Sequence, residues 1–215
     1  MQVKHIIFDL DGTLSDPADG IRNSLAYSLE KLKINIAVDE VFDRFVGPPL
    51  QHGYSEIIGL DETNTEIGVK YFREYYASKG VYESIPYDGI LALLSELREK
   101  DSTLYVATSK YEKYALELLR HHKMDMYFKR ISGADYKGTA ATKKTLIGKV
   151  LENIPVDERA SAVMIGDRKF DIDGAKENNI RSIGVLYGFG DRQELREADH
   201  IVESIGELRR LLLNT

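Results

Sequence analysis

Short apolar runs alternate with helical patterns along much of this chain. The run from His5 to Asp9 is short and rich in β-branched residues, which is typical of a buried parallel strand. Further strands are predicted at Thr103–Thr108, Arg130–Gly133, Ala162–Asp167, Ser182–Leu186 and His200–Val202. Apolar residues at helical spacing lie between them, at Ile90–Lys100, Lys113–His122, Lys143–Leu151 and Ile172–Asn178. The alternation predicts an α/β fold with a doubly wound parallel sheet, covered by helices on both faces.

The connection after the first strand is different, because it is helical from about residue 16 to residue 84. One helical face in this segment carries Ile21, Leu25, Leu29 and Leu32. We therefore expect an α/β core of residues 1–15 and 85–215, interrupted by an all-helical domain of residues 16–84. Its linkers, Asp16-Pro17 and Ser84-Ile85-Pro86, would form a hinge that lets the insertion close over a substrate.

Composition narrows the classes of partner. The 215 residues carry a net charge of −6 without a basic block, which argues against a nucleic acid polymer as partner. No apolar run reaches the roughly 18 residues of a membrane span. The start, Met1 to Lys4, leads into a strand and not into a signal peptide. We expect a soluble, cytoplasmic protein without a membrane partner. The absence of cysteine excludes disulfides and thiolate chemistry.

Two carboxylates stand at the exit of the first strand. Asp9 and Asp11 are separated by Leu10 and followed by Gly12 and Thr13. In open α/β sheets, ligands bind beyond the carboxyl ends of the strands. As the strand unwinds, the two aspartates can point to the same side, where they repel each other unless a cation lies between them. A hard divalent ion, Mg²⁺ first, suits these oxygen ligands.

Other polar residues follow later strands and should reach the same edge of the sheet. Thr108-Ser109-Lys110 follows the second core strand, and Gly166-Asp167-Arg168 follows another, with Asp171 four residues further on. Hydroxyls and turn amides there can hold phosphate oxygens, and Asp167 can ligate the metal. Taken alone, Thr108 and Asp171 are more simply explained as helix caps. Their recurrence at successive strand ends favours a phosphate-transfer site.

Helical phase distinguishes two neighbouring lysines. Lys143 falls near the centre of the buried face of its helix, whereas Lys144 lies at the flank of that face. A buried ammonium needs a partner, so Lys143 is expected to reach the carboxylates and a bound phosphate. Alternatively, Lys143 extends past the apolar face to water, as lysines near helix ends often do. Lys110 and Lys137 are weaker candidates for the same role.

Together, these residues resemble the haloacid dehalogenase superfamily of phosphohydrolases, whose core is Rossmann-like. Its four motifs are matched in order by Asp9–Thr13, Thr108, Lys143 and Gly166-Asp167 with Asp171. The helical insertion resembles the C1 cap of the phosphoglycolate phosphatase-like branch, and Met164–Ala175 is close to the pattern of that branch. Tyr187-Gly188-Phe189-Gly190 is similar to its final loop. Two positions depart from the family pattern: Lys144, where proline is frequent, and Ser109, where asparagine is frequent.

The resemblance implies a phosphatase that uses an aspartyl-phosphate intermediate. Asp9 would be the nucleophile, and Asp11 would protonate the leaving oxygen and then take a proton from water. Mg²⁺ would be held by the Asp9 carboxylate, the Asp11 backbone carbonyl and Asp167. Asp171 would support the metal or orient Lys143. The residues expected at the transferred phosphoryl group are Gly12, Thr13, Thr108, Ser109 and Lys143.

The leaving group is left open by these motifs, because the core recognises phosphate and the cap recognises the rest of the substrate. Arg22, Arg44 and the turn at residues 47–50 could contact the leaving group, and each is equally well explained by a structural role. The resemblance implies a small phosphorylated metabolite, with phosphoglycolate first and nucleotides, sugar phosphates or pyrophosphate as alternatives. A sugar phosphomutase is a further alternative. A non-enzymatic receiver module fits poorly, because its acceptor aspartate comes later in the chain and it lacks a helical insertion.

Overall fold

A computed structural model describes residues 3–46, 48–136 and 142–213. The strands are β1 (His5–Phe8), β2 (Ser15–Asp16), β3 (Ile85–Pro86), β4 (Thr103–Tyr111), β5 (Phe128–Ala134), β6 (Ala162–Gly166), β7 (Arg181–Val185) and β8 (His200–Val202). The α-helices are α1 (Ala18–Leu32), α2 (Val38–Phe45), α3 (Leu50–His52), α4 (Glu62–Ser78), α5 (Ile90–Glu99), α6 (Glu112–His121), α7 (Lys143–Leu151), α8 (Lys169–Glu177) and α9 (Ile205–Leu213). In the described part of the chain, no helix is long and apolar enough to cross a membrane.

The chain divides into two compact units. The α/β unit comprises the chain up to Asp16 and from Pro86 onwards, and the helical unit comprises Pro17–Ile85. The α/β unit contains a six-stranded sheet in the order β5-β4-β1-β6-β7-β8, in which every ladder is parallel. This is the doubly wound α/β architecture expected from the alternation of strands and helices.

Strand β1 lies at the centre of the sheet, and all four of its residues are buried. Burial on both faces explains why this strand is apolar throughout rather than alternating. Phe8, its last residue, is in register with Val106 of β4 and Ile165 of β6. The residues that follow these three positions therefore emerge side by side at the carboxyl edge of the sheet.

Helix α7 packs its apolar face onto the sheet. Leu146, Ile147 and Val150 are fully buried and share a core cluster with Ile7 of β1 and Met164 of β6. Each such side chain contributes about 2 kcal/mol through the apolar surface it removes from water. This packing fixes the rotation of α7 about its axis, and with it the direction of the residues in its first turn.

The helical unit has its own aromatic core. The ring of Phe45 lies 5.3 Å from that of Tyr54 and 6.1 Å from that of Phe72, which is itself stacked at 5.7 Å on Tyr76. Helix α4 begins after Asp61, whose side chain accepts a hydrogen bond from the Asn64 amide at 2.8 Å. Aromatic burial and helix capping together account for a compact all-helical unit.

Two element boundaries lie three residues from those predicted, and the other differences are smaller. Helix α8 begins at Lys169 and not at Ile172, because the Asp171 carboxylate accepts a hydrogen bond from the Arg168 amide at 3.1 Å and caps an additional turn. Strand β4 continues to Tyr111 and not only to Thr108. Between Ala107 and Tyr111 it advances four residues while β5 advances two, so β4 contains a bulge at the edge of the sheet where Asp9 emerges.

Candidate active site

Three carboxylates meet beyond the ends of the two central strands. Asp9 follows β1, Asp167 follows β6, and Asp171 lies in the first turn of α8. One oxygen from each lies within 4.8 Å of the others, and all three residues are buried. The Asp9 amide donates to the Ile165 carbonyl at 2.8 Å, which ties the start of this loop to β6. Asp9 thus forms one acidic cluster with two aspartates that lie more than 150 positions away in the sequence.

Lys143 supplies the positive charge inside this cluster. Its Nζ lies 2.8 Å from Asp9 Oδ1 and 2.8 Å from Asp171 Oδ1, and it donates to the Ala107 carbonyl at 3.1 Å. The residue is only 7 % exposed, whereas Lys144 is exposed and lies 3.9 Å from Glu177 on the surface. The rotation that buries Leu146 and Ile147 therefore also directs Lys143 inward, as helical phase predicts.

The electrostatics of the cluster reflect burial of like charges. Burial, together with the nearby charges of Asp171 and Asp9, raises the pKa of Asp167 well above its usual range. Burial also raises the pKa of Asp171, although Lys143 opposes that shift. For Lys143, burial alone would lower the pKa, but the carboxylates of Asp171 and Asp9 outweigh it and raise the pKa. The lysine therefore remains an ammonium ion, and the acidic cluster remains short of positive charge.

Asp11 forms its ion pair with a different lysine from Asp9 and Asp171. Its carboxylate forms an ion pair with Lys110 of the β4 bulge, through Oδ2 and the lysine Nζ. Burial raises the pKa of Asp11, and the Lys110 charge opposes that rise. Helical phase pointed to Lys143 as the main lysine of the site, so the sequence alone gave Lys110 a minor role. In the structure, Lys110 pairs with Asp11, whereas Lys143 contacts Asp9 and Asp171.

The other residues predicted to contact the phosphoryl group differ in burial and in hydrogen bonding. Thr108 is buried, and its hydroxyl accepts a hydrogen bond from the Lys110 amide at 3.2 Å. Ser109 is exposed. Thr13 is fully buried, and its hydroxyl donates to Asp167 Oδ1 at 3.3 Å. Gly12 has φ +82°, and a Cβ there would lie 2.2 Å from Asp167 Oδ2, so glycine alone permits this approach.

The loop after β7 contributes contacts that the sequence did not reveal. The Phe189 amide donates to Asp167 Oδ2 at 2.8 Å, and the Tyr187 hydroxyl donates to the Thr13 carbonyl at 3.2 Å. A Cβ at Gly188 would lie 2.4 Å from Asp167 Cβ, so the loop needs a glycine to approach so closely. The resemblance of residues 187–190 to the final loop of the family was the available sequence signal, but it did not indicate which residues this loop contacts. Both Asp167 oxygens are therefore held in place by hydrogen bonds.

The donor set fits a hard divalent cation. Three buried carboxylates face one ammonium, so the cluster retains an excess of negative charge that a cation would offset. All three residues offer oxygen ligands, which Mg²⁺ prefers. Each carboxylate also has protein partners: Lys143 contacts Asp9 and Asp171, and the Thr13 hydroxyl and the Phe189 amide donate to Asp167. The cluster as a whole suits a divalent cation.

Candidate residues for the leaving group lie in the helical unit. Arg22 forms an ion pair with Asp39 and stacks on Phe42, with Cζ 3.7 Å from the ring centroid, which supports a structural role. Arg44 is exposed in α2. Of the turn at residues 47–50, position 47 lies outside the described residues. Lys137 also lies outside them.

Comparison with known proteins identifies the family to which this chain belongs. The sequence model of the haloacid dehalogenase-like hydrolases matches residues 6–185, which include every carboxylate and lysine of the site described above. This chain belongs to that family, and it is therefore an enzyme.

Individual relatives narrow the comparison. The chain is 38 % identical over 214 residues to a 5'-nucleotidase from Pseudomonas aeruginosa, covering 99 % of this chain and 96 % of the relative. It is 33 % identical to a phosphoglycolate phosphatase from Mesorhizobium japonicum, covering 87 % and 84 % of the two chains. The crystal structure of a predicted phosphatase from Clostridium acetobutylicum superposes with a TM-score of 0.90 at 41 % identity, covering both chains completely.

Proposed function

We propose that this protein is a Mg²⁺-dependent phosphatase that hydrolyses a small phosphate monoester through an aspartyl-phosphate on Asp9. The observation that carries the proposal is the position of the Asp9 carboxylate, at the end of the central strand and 2.8 Å from the buried ammonium of Lys143. An ammonium at this distance attracts a phosphate to the carboxylate. The same position also lies within the acidic cluster that fits a metal.

In the first step, an oxygen of Asp9 forms a bond to phosphorus as the bond between phosphorus and the leaving oxygen breaks. Asp11 gives its proton to the leaving oxygen, so the alcohol departs neutral. A raised pKa suits Asp11 to this role, because it favours the protonated carboxyl group that the step requires. Lys143 and Thr108 bind the phosphoryl oxygens, where negative charge is spread in the transition state.

In the second step, water attacks the phosphorus of the aspartyl-phosphate and the bond to Asp9 breaks. Asp11, now a carboxylate, accepts the proton of that water, which restores both aspartates and releases inorganic phosphate. Asp171 orients Lys143 through their ion pair. When bound, Mg²⁺ would neutralise phosphoryl charge, with Asp9, Asp167 and the Asp11 backbone carbonyl as its protein ligands.

Two leaving groups are favoured by the named relatives. The 5'-nucleotidase covers nearly the whole chain and points to a nucleoside, whereas the phosphoglycolate phosphatase points to a small carboxylic acid. We expect the helical unit, as the cap, to decide between them. A panel of nucleoside monophosphates, phosphoglycolate, sugar phosphates and pyrophosphate will identify the class. Multiple turnovers without a bisphosphate activator would exclude both the phosphomutase and the receiver module.

The nucleophile is tested with Asp9→Asn and an aryl phosphate. The amide is a poor nucleophile and a neutral ligand, so activity should fall by about 10⁴-fold or more. Asp173→Asn, on the exposed side of α8, is the matched control and should retain full activity. Excess chelator should abolish wild-type turnover, and added Mg²⁺ should restore it. Full activity of Asp9→Asn, or of the wild type in chelator, would refute the proposed site.

A further inference from the structure

The bulge in β4 turns the chain between Thr108 and Tyr111 out of regular pairing. Four residue steps of β4 oppose two steps of β5 there, from Ser132 to Ala134. Extra residues in a strand interrupt the alternation of side chains and redirect them, which is why bulges recur beside active sites. The Thr108 hydroxyl accepts the Lys110 amide within this bulge at 3.2 Å. The backbone carrying Lys110 is therefore held in one conformation.

The redirected side chain of Lys110 ends on Asp11. Its Nζ donates to Asp11 Oδ2, and its side chain is only 7 % exposed. The Asp11 side chain is 24 % exposed, so one end of this pair is enclosed by protein and the other reaches solvent. A buried ion pair costs desolvation and is weak evidence for a contribution to stability. Its position beside the expected general acid suggests a role in the reaction.

The two oxygens of Asp11 are not equivalent. Oδ2 is bound by Lys110, whereas Oδ1 is buried and has no hydrogen-bond partner among the described residues. A carboxyl group on a short side chain can rotate, and rotation would exchange these two oxygens. An ammonium bound to one of them prevents that exchange, so the other keeps a fixed position.

We propose that Lys110 is a positioning residue that fixes the Asp11 carboxyl by Oδ2 and thereby holds the acid in one orientation for proton transfer to the leaving oxygen. This inference rests on the proposed phosphatase function and on Asp11 as its general acid. Lys143 has a different role, because it contacts Asp9 and Asp171 and not the acid. Lys143 therefore contacts the proposed nucleophile, and Lys110 contacts the proposed proton donor.

The test compares leaving groups in Lys110→Met, under conditions where phosphorylation of Asp9 limits the rate. Positioning of the acid matters for phenyl phosphate, whose leaving oxygen needs a proton, and matters little for 2,4-dinitrophenyl phosphate. We expect kcat to fall by about 10- to 100-fold for the first substrate and by less than about 3-fold for the second. Lys110→Arg, which keeps the cation, should recover most of the loss. Lys113→Met, on the exposed face of α6, is the matched control.

A double-mutant cycle with Asp11→Asn separates this role from substrate binding or folding. If Lys110 acts through Asp11, adding Lys110→Met to Asp11→Asn should cause no further loss with phenyl phosphate. Additive losses, or equal losses for both substrates, would overturn the inference. If Asp11→Asn itself shows no dependence on the leaving group, the assignment of Asp11 as acid fails, and this result is distinguishable from failure of Lys110. Should Lys110→Met not fold, Lys110→Gln replaces it in the same cycle.

Discussion

The two ends of β1 carry opposite electrostatic arrangements. At its amino end, His5 Nε2 lies 2.8 Å from Glu158, which also lies 3.6 Å from Lys4, and the hydrogen bond from His5 is the main reason that the pKa of Glu158 is lowered. At its carboxyl end, Asp9 joins two further buried aspartates around one lysine, and burial raises the pKa of Asp167 and Asp171.

We interpret this difference as one between a structural polar network and the proposed active site. At the amino end, His5 and Lys4 favour the ionised form of the Glu158 carboxylate, so ionisation of Glu158 stabilises the folded state. At the carboxyl end, folding forces carboxylates together where their ionisation is unfavourable, which is typical of sites that bind a cation or transfer protons. Three buried strand residues, Ile6 to Phe8, separate the two arrangements. The following predictions test this contrast.

After the proposed nucleophile, the largest effect is expected at the proposed general acid. Asp11→Asn should retain the fold but lose about 10²- to 10⁴-fold in turnover of a substrate with a poor leaving group, because proton transfer is lost. The loss should shrink for a very good leaving group when phosphorylation limits the rate. Steady-state kinetics with aryl phosphates of graded leaving-group pKa measure this dependence. An identical loss across the series would remove Asp11 from the acid role.

A smaller loss is expected at the lysine of the acidic cluster. Lys143→Ala should lower kcat by about 10²- to 10³-fold, since it removes a charged donor from the phosphoryl group. Lys144→Ala, one residue along the same helix and exposed, should be nearly silent. Without metal, Lys143→Ala should also lower the thermal midpoint, because the carboxylates lose their cation. Saturating Mg²⁺ should recover part of that midpoint by binding only the folded state. The reverse ranking of the two lysines would contradict this assignment.

Stability against pH should reveal the unfavourable carboxylates directly. Asp167 has a folded pKa raised above its unfolded value, so its contribution is neutral below the unfolded pKa, becomes destabilising as pH rises above it, and is fully destabilising once pH exceeds the raised pKa. In chelator, Asp167→Asn should therefore raise the midpoint by several degrees at pH 8 and by very little near pH 3. Thermal unfolding from pH 3 to pH 8 measures this difference. A constant difference across the range would mean that Asp167 does not titrate as proposed.

The smallest effect is expected at the amino end of β1, with the opposite sign. Glu158 has a folded pKa below its unfolded value, so its stabilisation is present above the unfolded pKa and is lost as pH falls through the folded pKa. Glu158→Gln should lower the midpoint at pH 7 by no more than about 2 °C, because the carboxylate is partly exposed. Near pH 3 this difference should vanish. Phosphatase activity should not change, and a loss of turnover would connect this network to the active site.

Local sequence was sufficient for several parts of the site. The apolar run before Asp9 predicted the central strand, and the parallel topology placed Asp9 and Asp167 at the same edge of the sheet. The phase of α7 predicted that Lys143 is buried and Lys144 exposed, because a helix with a strongly apolar face has only one rotation that buries it. These features depend on periodicity and strand order, which are properties of short segments.

The contacts between these residues could not be predicted from local patterns. The ion pair of Lys110 with Asp11 depends on two extra residues in β4, and no local pattern records how a strand is interrupted by its neighbour. The hydrogen bond from the Phe189 amide to Asp167 likewise joins two loops that are distant along the chain. Such contacts depend on the packing of many segments at once and on backbone groups that every residue carries. Periodicity and strand order were therefore enough to bring the aspartates and Lys143 to one edge of the sheet, whereas three-dimensional packing determined which groups touch there.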